Sequence, residues 1–219
     1  MLEIWWIRHG ETDWNRAGRI QGASDVPLNE LGRAQARALA PRLEDAGFDA
    51  VYASNLVRAS ETARLALPGT ELTLDARVRE LAYGVLEGTS WRDPVPPELE
   101  EAVRAWRANP HDVRPPGGES YADLGARVEA FVADLPRSGK IAVFSHGGTI
   151  RSALYAVTGR PSDGAWRIAI TNTSLTRIQF DRRGATVMVM NDHAHLDRVL
   201  IDPQAVSGSA GERLAPPAA

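Results

Sequence analysis

The 219-residue sequence contains no cysteine, which excludes disulfide bonds, thiolate metal centres, iron–sulfur clusters and cysteine catalysis. It has no apolar run near the ~20 residues that a membrane-spanning helix needs. The segment from Met1 to Ile7 contains Glu3 and is too short for a signal peptide. The net charge of −3 shows no excess of basic or acidic residues, so the composition indicates neither nucleic-acid binding nor disorder. We therefore expect a cytoplasmic protein that binds neither a membrane nor a nucleic acid.

Lysine is almost absent as well, because Lys140 is the only one and the other basic residues are arginines. Arginine carries a planar guanidinium group that suits phosphate oxygens. The remaining composition, 43% hydrophobic and 24% charged, is typical of a soluble globular protein, and the chain is long enough to bury a substantial core.

Short apolar segments alternate with segments of helical periodicity, a pattern typical of βαβ units and a mainly parallel sheet. Strands are predicted at 2–7, 49–53, 72–74, 140–144, 174–180 and 185–190. The last two are predicted as a hairpin or as neighbouring strands around Gly184. Helices are predicted at about 29–46, 58–67, 97–108, 120–135 and 148–158. The sequence thus predicts an α/β fold, a three-layer sandwich with a mostly parallel central sheet flanked by helices.

Prolines punctuate the segment 88–119, and within it only the piece at about 97–108 has a helical pattern. We interpret this segment as a small cap insertion over the sheet, since long loops in compact domains are often functional. After Pro203 the composition turns to Gly, Ser, Ala and Pro, which predicts a disordered tail at 203–219. Residues 1–202 are predicted to form a single domain.

Polar residues follow four of the predicted strands. They are Arg8 and His9 after the first, Arg58 after the second, Glu80 after the third, and His146 with Gly147 after the fourth. Ligands of open parallel α/β sheets bind beyond the carboxyl ends of the strands, so these residues are expected to meet in one crevice. Two arginines and a helix N-terminus suit a phosphoryl group, a histidine can act as a nucleophile, and a carboxylate can act as an acid. The set favours phosphoryl transfer without a metal.

Each of these residues also has a structural interpretation when it is taken alone. A single histidine after a strand is usually a hydrogen-bonded structural residue. Arg58 alone fits a surface salt bridge, Glu80 alone fits a solvated carboxylate, and a Gly-Gly pair alone fits a tight turn. Only their joint placement after strands favours a site.

The motifs resemble those of the histidine phosphatase superfamily, which has the phosphoglycerate-mutase-like fold. The matching segments are Arg8-His9-Gly10-Glu11-Thr12, Trp14-Asn15, 18–22, 25–32, 54–63, Glu80 with 83–88, 117–120, 145–151, 172–175 and 191–196. The resemblance covers about 1–197.

This resemblance implies a role for each matching residue. His9 would be the nucleophile that forms a phosphohistidine, and Glu80 would give a proton to the leaving oxygen. Arg8, Arg58 and His146 would hold the phosphoryl oxygens, and Asn15, Gln21 and Gly147 would complete the binding pocket. The resemblance implies no metal and no cofactor.

Four further residues are open to interpretation. Glu11 and Glu87 are interpreted as structural, holding the arginines or the loops in place, since buried cations are usually paired. His193 and His195 would share one face of a strand, with Asp192 and Asp197 nearby. A metal site there is conceivable, but polar loop residues are the favoured interpretation.

The family contains hydrolases and mutases, and the cap must distinguish them. Mutases of the family usually have a longer insertion between the acid and the second histidine than residues 81–145 provide here. We therefore expect a phosphomonoesterase acting on a small phosphorylated metabolite. The alternatives are a cofactor-dependent phosphoglycerate mutase, an α-ribazole-phosphate or sugar-phosphate phosphatase, and a non-enzymatic phosphate-binding module.

Two features of the sequence bear on these alternatives and on assembly. The cap carries four arginines that fit either a second anionic group of the substrate or a solvated helix face: Arg92, Arg104, Arg107 and Arg114. Trp14, Trp91 and Trp106 fit a leaving-group pocket, although Trp106 also fits the core. Trp5 and Trp6 face opposite sides of a strand, so an uncovered face would predict a homodimer.

Overall fold

The structure, a computed structural model, describes residues 1–159 and 168–196. The predicted tail at 203–219 and Asp197 lie outside these residues. Within the described residues, six strands form one sheet in the order β3-β2-β4-β1-β5-β6. They are β1 (Leu2–Arg8), β2 (Ala50–Ala53), β3 (Thr73–Leu74), β4 (Gly139–Ser145), β5 (Leu175–Asp181) and β6 (Gly184–Asp192). The first four are parallel, and β5 and β6 form an antiparallel hairpin at one edge.

Helices cover both faces of this sheet. They are α1 (Asp13–Arg16), α2 (Glu30–Leu43), α3 (Val57–Ala66), α4 (Glu100–Ala108), α5 (Tyr121–Ala133) and α6 (Gly147–Thr158). Ile7 and Phe144 pack with α2 and α3 on one face, whereas Trp6 and Val143 pack with α5 and α6 on the other. Successive strand residues point to opposite faces, so each strand contributes to two cores. The predicted fold class is confirmed.

The predicted elements match the observed ones, with differences at their ends. The helix predicted at 29–46 ends at Leu43, because the chain turns at Gly47, whose φ is 65°. The segment at 97–108 is divided into a 3-10 turn, Pro97–Leu99, and helix α4. Sequence analysis missed α1, which a capping box of Thr12 and Asn15 stabilises.

The two adjacent tryptophans lie on opposite faces of β1, as predicted. Trp6 is fully buried and contacts Phe131 edge to face, with ring centroids 6.1 Å apart. Trp5 is half-buried, with the Phe48 ring 5.3 Å away and the Arg177 guanidinium 5.0 Å from its ring centroid. Trp5 is therefore partly covered by this chain's own residues, and the homodimer stays a prediction. No helix in the described part of the chain has the length and apolarity of a membrane span.

Candidate active site

The carboxyl ends of three parallel strands bring the predicted residues together. β1 lies between β4 and β5, and β4 lies between β1 and β2. Backbone hydrogen bonds connect the ends of these strands. The His9 amide donates to the Ser145 carbonyl at 2.9 Å, and the Ser54 amide donates to the Phe144 carbonyl at 2.9 Å. The rings of His9 and His146, far apart in the sequence, have centroids 5.2 Å apart.

His9 is buried and held in one tautomer. Its Nδ1 lies 2.6 Å from the Gly10 carbonyl oxygen. A carbonyl can only accept, so Nδ1 carries the proton and Nε2 keeps its lone pair. Burial, with the charges of Arg58 and Arg8, lowers the pKa of His9 well below 6.5. A neutral imidazole with an unprotonated Nε2 can act as a nucleophile.

The backbone on either side of His9 is held by the loop that precedes β5. The Thr173 amide donates to the carbonyls of both Arg8 and His9, at 3.1 and 3.2 Å. The Asn172 side chain also donates to the His9 carbonyl at 2.9 Å. Thr173 has φ of 56°, a left-handed conformation that is strained for a β-branched residue. The segment 172–175 matches the family motif, but its sequence predicts no role for it.

Arg8 and Arg58 are buried, and each uses only part of its guanidinium group within the protein. Arg8 donates from Nη1 to the Ile170 carbonyl at 2.5 Å. Arg58 donates from Nη1 and Nη2 to the carbonyls of Ser24 and Gly22, both at 2.7 Å. Burial lowers the pKa of each arginine to about 10, so both keep their charge at neutral pH. The Nε atoms of both are buried and have no partner among the described residues.

Like Arg8 and Arg58, His146 is buried and has nitrogen atoms without partners in the described part of the chain. Neither of its ring nitrogens has a hydrogen-bond partner among the described residues. Burial and the charge of Arg58 lower its pKa well below 6.5. Buried donors are normally satisfied, so this cluster of unpaired donors around His9 points to an anionic ligand with several acceptor oxygens. A phosphoryl group fits that description.

Glu80 places its carboxylate at the N-terminus of α6. Oε2 accepts from the Gly148 amide at 3.1 Å and Oε1 accepts from the Leu81 amide at 2.8 Å. Burial lowers the pKa values of Arg8 and Arg58, and the charge of Glu80 offsets part of that lowering, which places Glu80 near both cations. A carboxyl group near both arginines can, when protonated, act as a general acid toward a ligand that they bind.

The three predicted pocket residues lie beside this cluster. Thr12 is the common neighbour of Asn15 and Gln21, because its hydroxyl lies 3.2 Å from Asn15 Oδ1 and 2.9 Å from Gln21 Oε1. A Cβ placed on Gly147 would lie 3.8 Å from the Arg8 Nε. The structure thus places these three residues around the loop that follows β1 and at the start of α6.

Glu87 and Glu11 have different partners. Glu87 accepts hydrogen bonds from the loop 22–24, the same loop whose carbonyls hold Arg58. Glu11 is fully buried and pairs with Arg16 at 2.9 Å, with a further bond from Asn29. Glu87 therefore supports the loop around Arg58, and Glu11 anchors α1 through Arg16.

His193 and His195 follow the end of β6 rather than sharing a face within it. His193 Nδ1 lies 2.8 Å from the Asn191 carbonyl, and His195 Nε2 lies 3.0 Å from the Thr173 hydroxyl. The strand geometry considered for them is wrong, because β6 ends at Asp192. In the described ranges, no group of three His, Asp or Glu residues is arranged to hold a metal.

The aromatic residues of the predicted cap pack among themselves. Trp106 is buried in the core and stacks on Trp91, with centroids 5.9 Å apart and an interplanar angle of 12°. Tyr83 meets both rings edge to face. Trp106 therefore belongs to the core, the second of the two interpretations considered for it.

Comparison with known proteins identifies the family. Residues 4–193 match the family described as the histidine phosphatase superfamily (branch 1), and the chain belongs to that family. It is 35% identical to the "Probable phosphoglycerate mutase GpmB" of Yersinia pestis over 212 residues, or 92% of this chain and 98% of that protein.

Two solved structures are similar in fold and sequence. The α-ribazole phosphatase from Shigella flexneri has a TM-score of 0.79 and 30% identity, covering 87% of this chain and 96% of that one. A mutant phosphoserine phosphatase from Entamoeba histolytica in complex with phosphoserine has a TM-score of 0.77 and 26% identity, covering 90% and 100%.

Proposed function

We propose that the protein is a metal-independent phosphomonoester hydrolase that acts on a small phosphorylated metabolite through a phosphohistidine. The observation that carries this proposal is the cluster of buried, unpaired donors around His9. Arg8, Arg58 and His146 have buried nitrogen atoms without partners among the described residues. The His146 ring centroid lies 5.2 Å from that of His9, and the charges of both arginines act on His9. Two fixed positive charges can stabilise a transferring phosphoryl group in the way that a metal does elsewhere.

The first step transfers the phosphoryl group to His9. The Nε2 lone pair forms a bond to phosphorus while the bond from phosphorus to the ester oxygen breaks. Arg8, Arg58 and a ring N–H of His146 donate to the three equatorial oxygens, with Asn15, Gln21 and the Gly147 amide around them. Glu80 gives its proton to the departing oxygen, so the alcohol leaves uncharged.

The second step returns the enzyme to its initial state. Glu80, now ionised, takes a proton from a water molecule that attacks phosphorus from the side the alcohol has left. The bond from phosphorus to Nε2 breaks, and inorganic phosphate departs. The bond from Nδ1 to the Gly10 carbonyl holds the ring in place through both steps. Positioning and electrostatics therefore carry most of the catalysis.

A phosphoglycerate mutase is the second candidate, because the GpmB relative is 35% identical over almost its whole length. The phosphoenzyme of a mutase must pass its phosphoryl group to a sugar acid instead of water. The similarity to an α-ribazole phosphatase and a phosphoserine phosphatase supports hydrolysis. α-Ribazole phosphate, phosphoserine and sugar phosphates are accordingly the first substrates to test.

The test measures where the phosphoryl group goes. The protein is incubated with EDTA and a panel of phosphomonoesters, and separately with 3-phosphoglycerate plus 2,3-bisphosphoglycerate. We expect release of phosphate from the panel, little 2-phosphoglycerate, and no turnover by His9→Ala. Rapid isomerisation with little free phosphate would identify a mutase. Tight phosphate binding without turnover of any substrate would identify a binding module.

A further inference from the structure

The segment that carries Glu80 has no regular structure around the carboxylate. It runs from the 3-10 turn Ala76–Val78 to the turn Gly84–Leu86. Each of the four carbonyls from Arg77 to Glu80 nevertheless accepts a hydrogen bond from a side chain. Ser145 donates to the Val78 carbonyl at 2.8 Å and Thr149 to the Arg79 carbonyl at 2.6 Å. An irregular segment needs such partners, since unpaired buried carbonyls are costly.

One residue of α5, Arg127, supplies three of these hydrogen bonds. Its Nη1 donates to the carbonyls of Arg77 and Arg79, both at 2.7 Å, and its Nη2 donates to the Glu80 carbonyl at 2.9 Å. A guanidinium group suits this task because its donors lie in one rigid plane. Arg127 thus fixes the backbone on which the Glu80 carboxylate is mounted.

The orientation of Arg127 is fixed in turn by Glu119. Nε and Nη2 donate to the two carboxylate oxygens of Glu119 at 3.1 and 3.0 Å. Glu119 also accepts from the Ala82 amide at 3.0 Å, while its own amide donates to the Ala82 carbonyl at 2.8 Å. The pair therefore holds the chain on both sides of Glu80. Neither side chain has a hydrogen bond to His9, Arg8 or Arg58 in the described structure.

We propose that Arg127, oriented by Glu119, is a positioning residue for the proton donor of the reaction. This inference rests on the proposed function, in which Glu80 protonates the leaving oxygen. The position of the Glu80 carboxylate, which accepts from the Gly148 amide, depends on the position of the Glu80 backbone. Movement of that backbone misplaces the carboxylate, whereas the hydrogen bonds of Arg8 and His9 go to other parts of the described chain.

The experiment compares a substrate that needs a proton donor with one that does not. The values of kcat/KM are measured for nitrophenyl phosphate, which has a good leaving group, and for phosphoserine, an alkyl phosphate. The variants are Glu80→Gln, Arg127→Met, the double variant Glu80→Gln/Arg127→Met, and Arg127→Lys. Arg33→Gln is the matched control, because it breaks an arginine–carboxylate pair with Glu61 on α3, away from residues 77–82.

Arg127→Met is expected to lower phosphoserine hydrolysis about 10- to 100-fold, the effect of a displacement near 1 Å, and nitrophenyl phosphate hydrolysis only a few-fold. In the Glu80→Gln background it is expected to have no further effect, because there is no acid left to position. Arg127→Lys should recover part of the loss, and Arg33→Gln should leave both rates unchanged. If Arg127→Met does not fold, Arg127→Lys in the two backgrounds provides the same comparison.

Two results would overturn the inference and are distinguishable. Equal loss on both substrates, or a loss that multiplies with that of Glu80→Gln, would mean that Arg127 acts on general stability, and the proposed function would stand. An unchanged substrate ratio in Glu80→Gln itself would remove Glu80 as the acid. That result would refute this part of the proposed function and the inference together.

Discussion

The substitution Glu87→Gln tests whether the loop that holds Arg58 depends on the partly buried Glu87 carboxylate. Oε1 of Glu87 accepts from the amides of Ala23 and Tyr83, both at 2.9 Å. Oε2 accepts from the Ser24 amide at 2.9 Å and from the Ser24 hydroxyl at 2.6 Å. The carbonyls of Ser24 and Gly22 then accept from Arg58. Removing the carboxylate therefore acts on Arg58 through one intervening loop.

The cost follows from the donors that a glutamine cannot satisfy. Its amide keeps one oxygen, which serves the amides of Ala23 and Tyr83, and places an NH2 group at the position of Oε2. The Ser24 hydroxyl can rotate to accept from that group, but the Ser24 amide loses the carboxylate and keeps only the Gln21 carbonyl at 3.1 Å. The weakened hydrogen bonding of that amide and the loss of charge in the other bonds of this partly buried carboxylate cost about 1–2 kcal/mol. In a protein of this size, that loss lowers the Tm by roughly 2–8 °C.

Catalysis should change in a manner that identifies the mechanism. A displaced Arg58 affects all phosphomonoesters equally, so kcat/KM should fall about 10- to 100-fold for both nitrophenyl phosphate and phosphoserine. Glu61→Gln is the control. Glu61 lies on α3 with Arg58, but it pairs with Arg33 of α2 rather than with the loop 22–24. A Tm within about 1 °C of the parent, or a selective loss with phosphoserine, would refute the reasoning.

Two further predictions follow from Gly148 and from the buried histidines. A Cβ on Gly148 would lie 2.3 Å from Glu80 Oε1. Gly148→Ala should therefore displace that carboxylate and lower phosphoserine hydrolysis at least 10-fold while sparing nitrophenyl phosphate. Gly125→Ala, whose Cβ would make only an ordinary contact at 3.7 Å, should change neither rate. Burial lowers the pKa values of His9 and His146 in the folded protein well below 6.5. Below pH 6.5 these histidines therefore become protonated in the unfolded chain before they do in the folded protein, which favours unfolding. Unfolding free energy should fall there by up to about 1.4 kcal/mol per pH unit for each histidine, and His146→Gln should show a shallower dependence.

Much of the fold was predictable because its signals are local. The apolar strands β1 and β4 are short, buried on both faces and bounded by polar residues, and the helices carry regular apolar stripes. Once these strands are parallel, their carboxyl ends share one edge, so Arg8, His9 and His146 must meet there. Helix α1 was missed because its four residues are too few for a periodic pattern, and only the Thr12 to Asn15 spacing marks it.

The supports of the site were not predictable in this way, since they are contacts between distant parts of the chain. Arg127 lies 47 residues from Glu80 and contacts only its backbone, which leaves no trace in residue spacing. The strained conformation of Thr173 likewise depends on the carbonyls of Arg8 and His9, which another strand supplies. Such geometry is determined by tertiary packing, and sequence analysis identified only the residues that it positions.

The contacts of Arg8, Arg58 and Arg127 show why arginine rather than lysine suits these three positions. Arg8 and Arg58 each donate to main-chain carbonyls from one part of the guanidinium group while Nε stays unpaired in the described structure. Arg127 likewise bridges several carbonyls and a carboxylate at once. A lysine is a point charge on a flexible stem, so it can hold a loop or face an anion but cannot do both in a fixed geometry. At Arg8 and Arg58, an arginine-to-lysine change would therefore keep the positive charge of the site. The lysine could hold the loop or bind the phosphoryl group, but it could not do both.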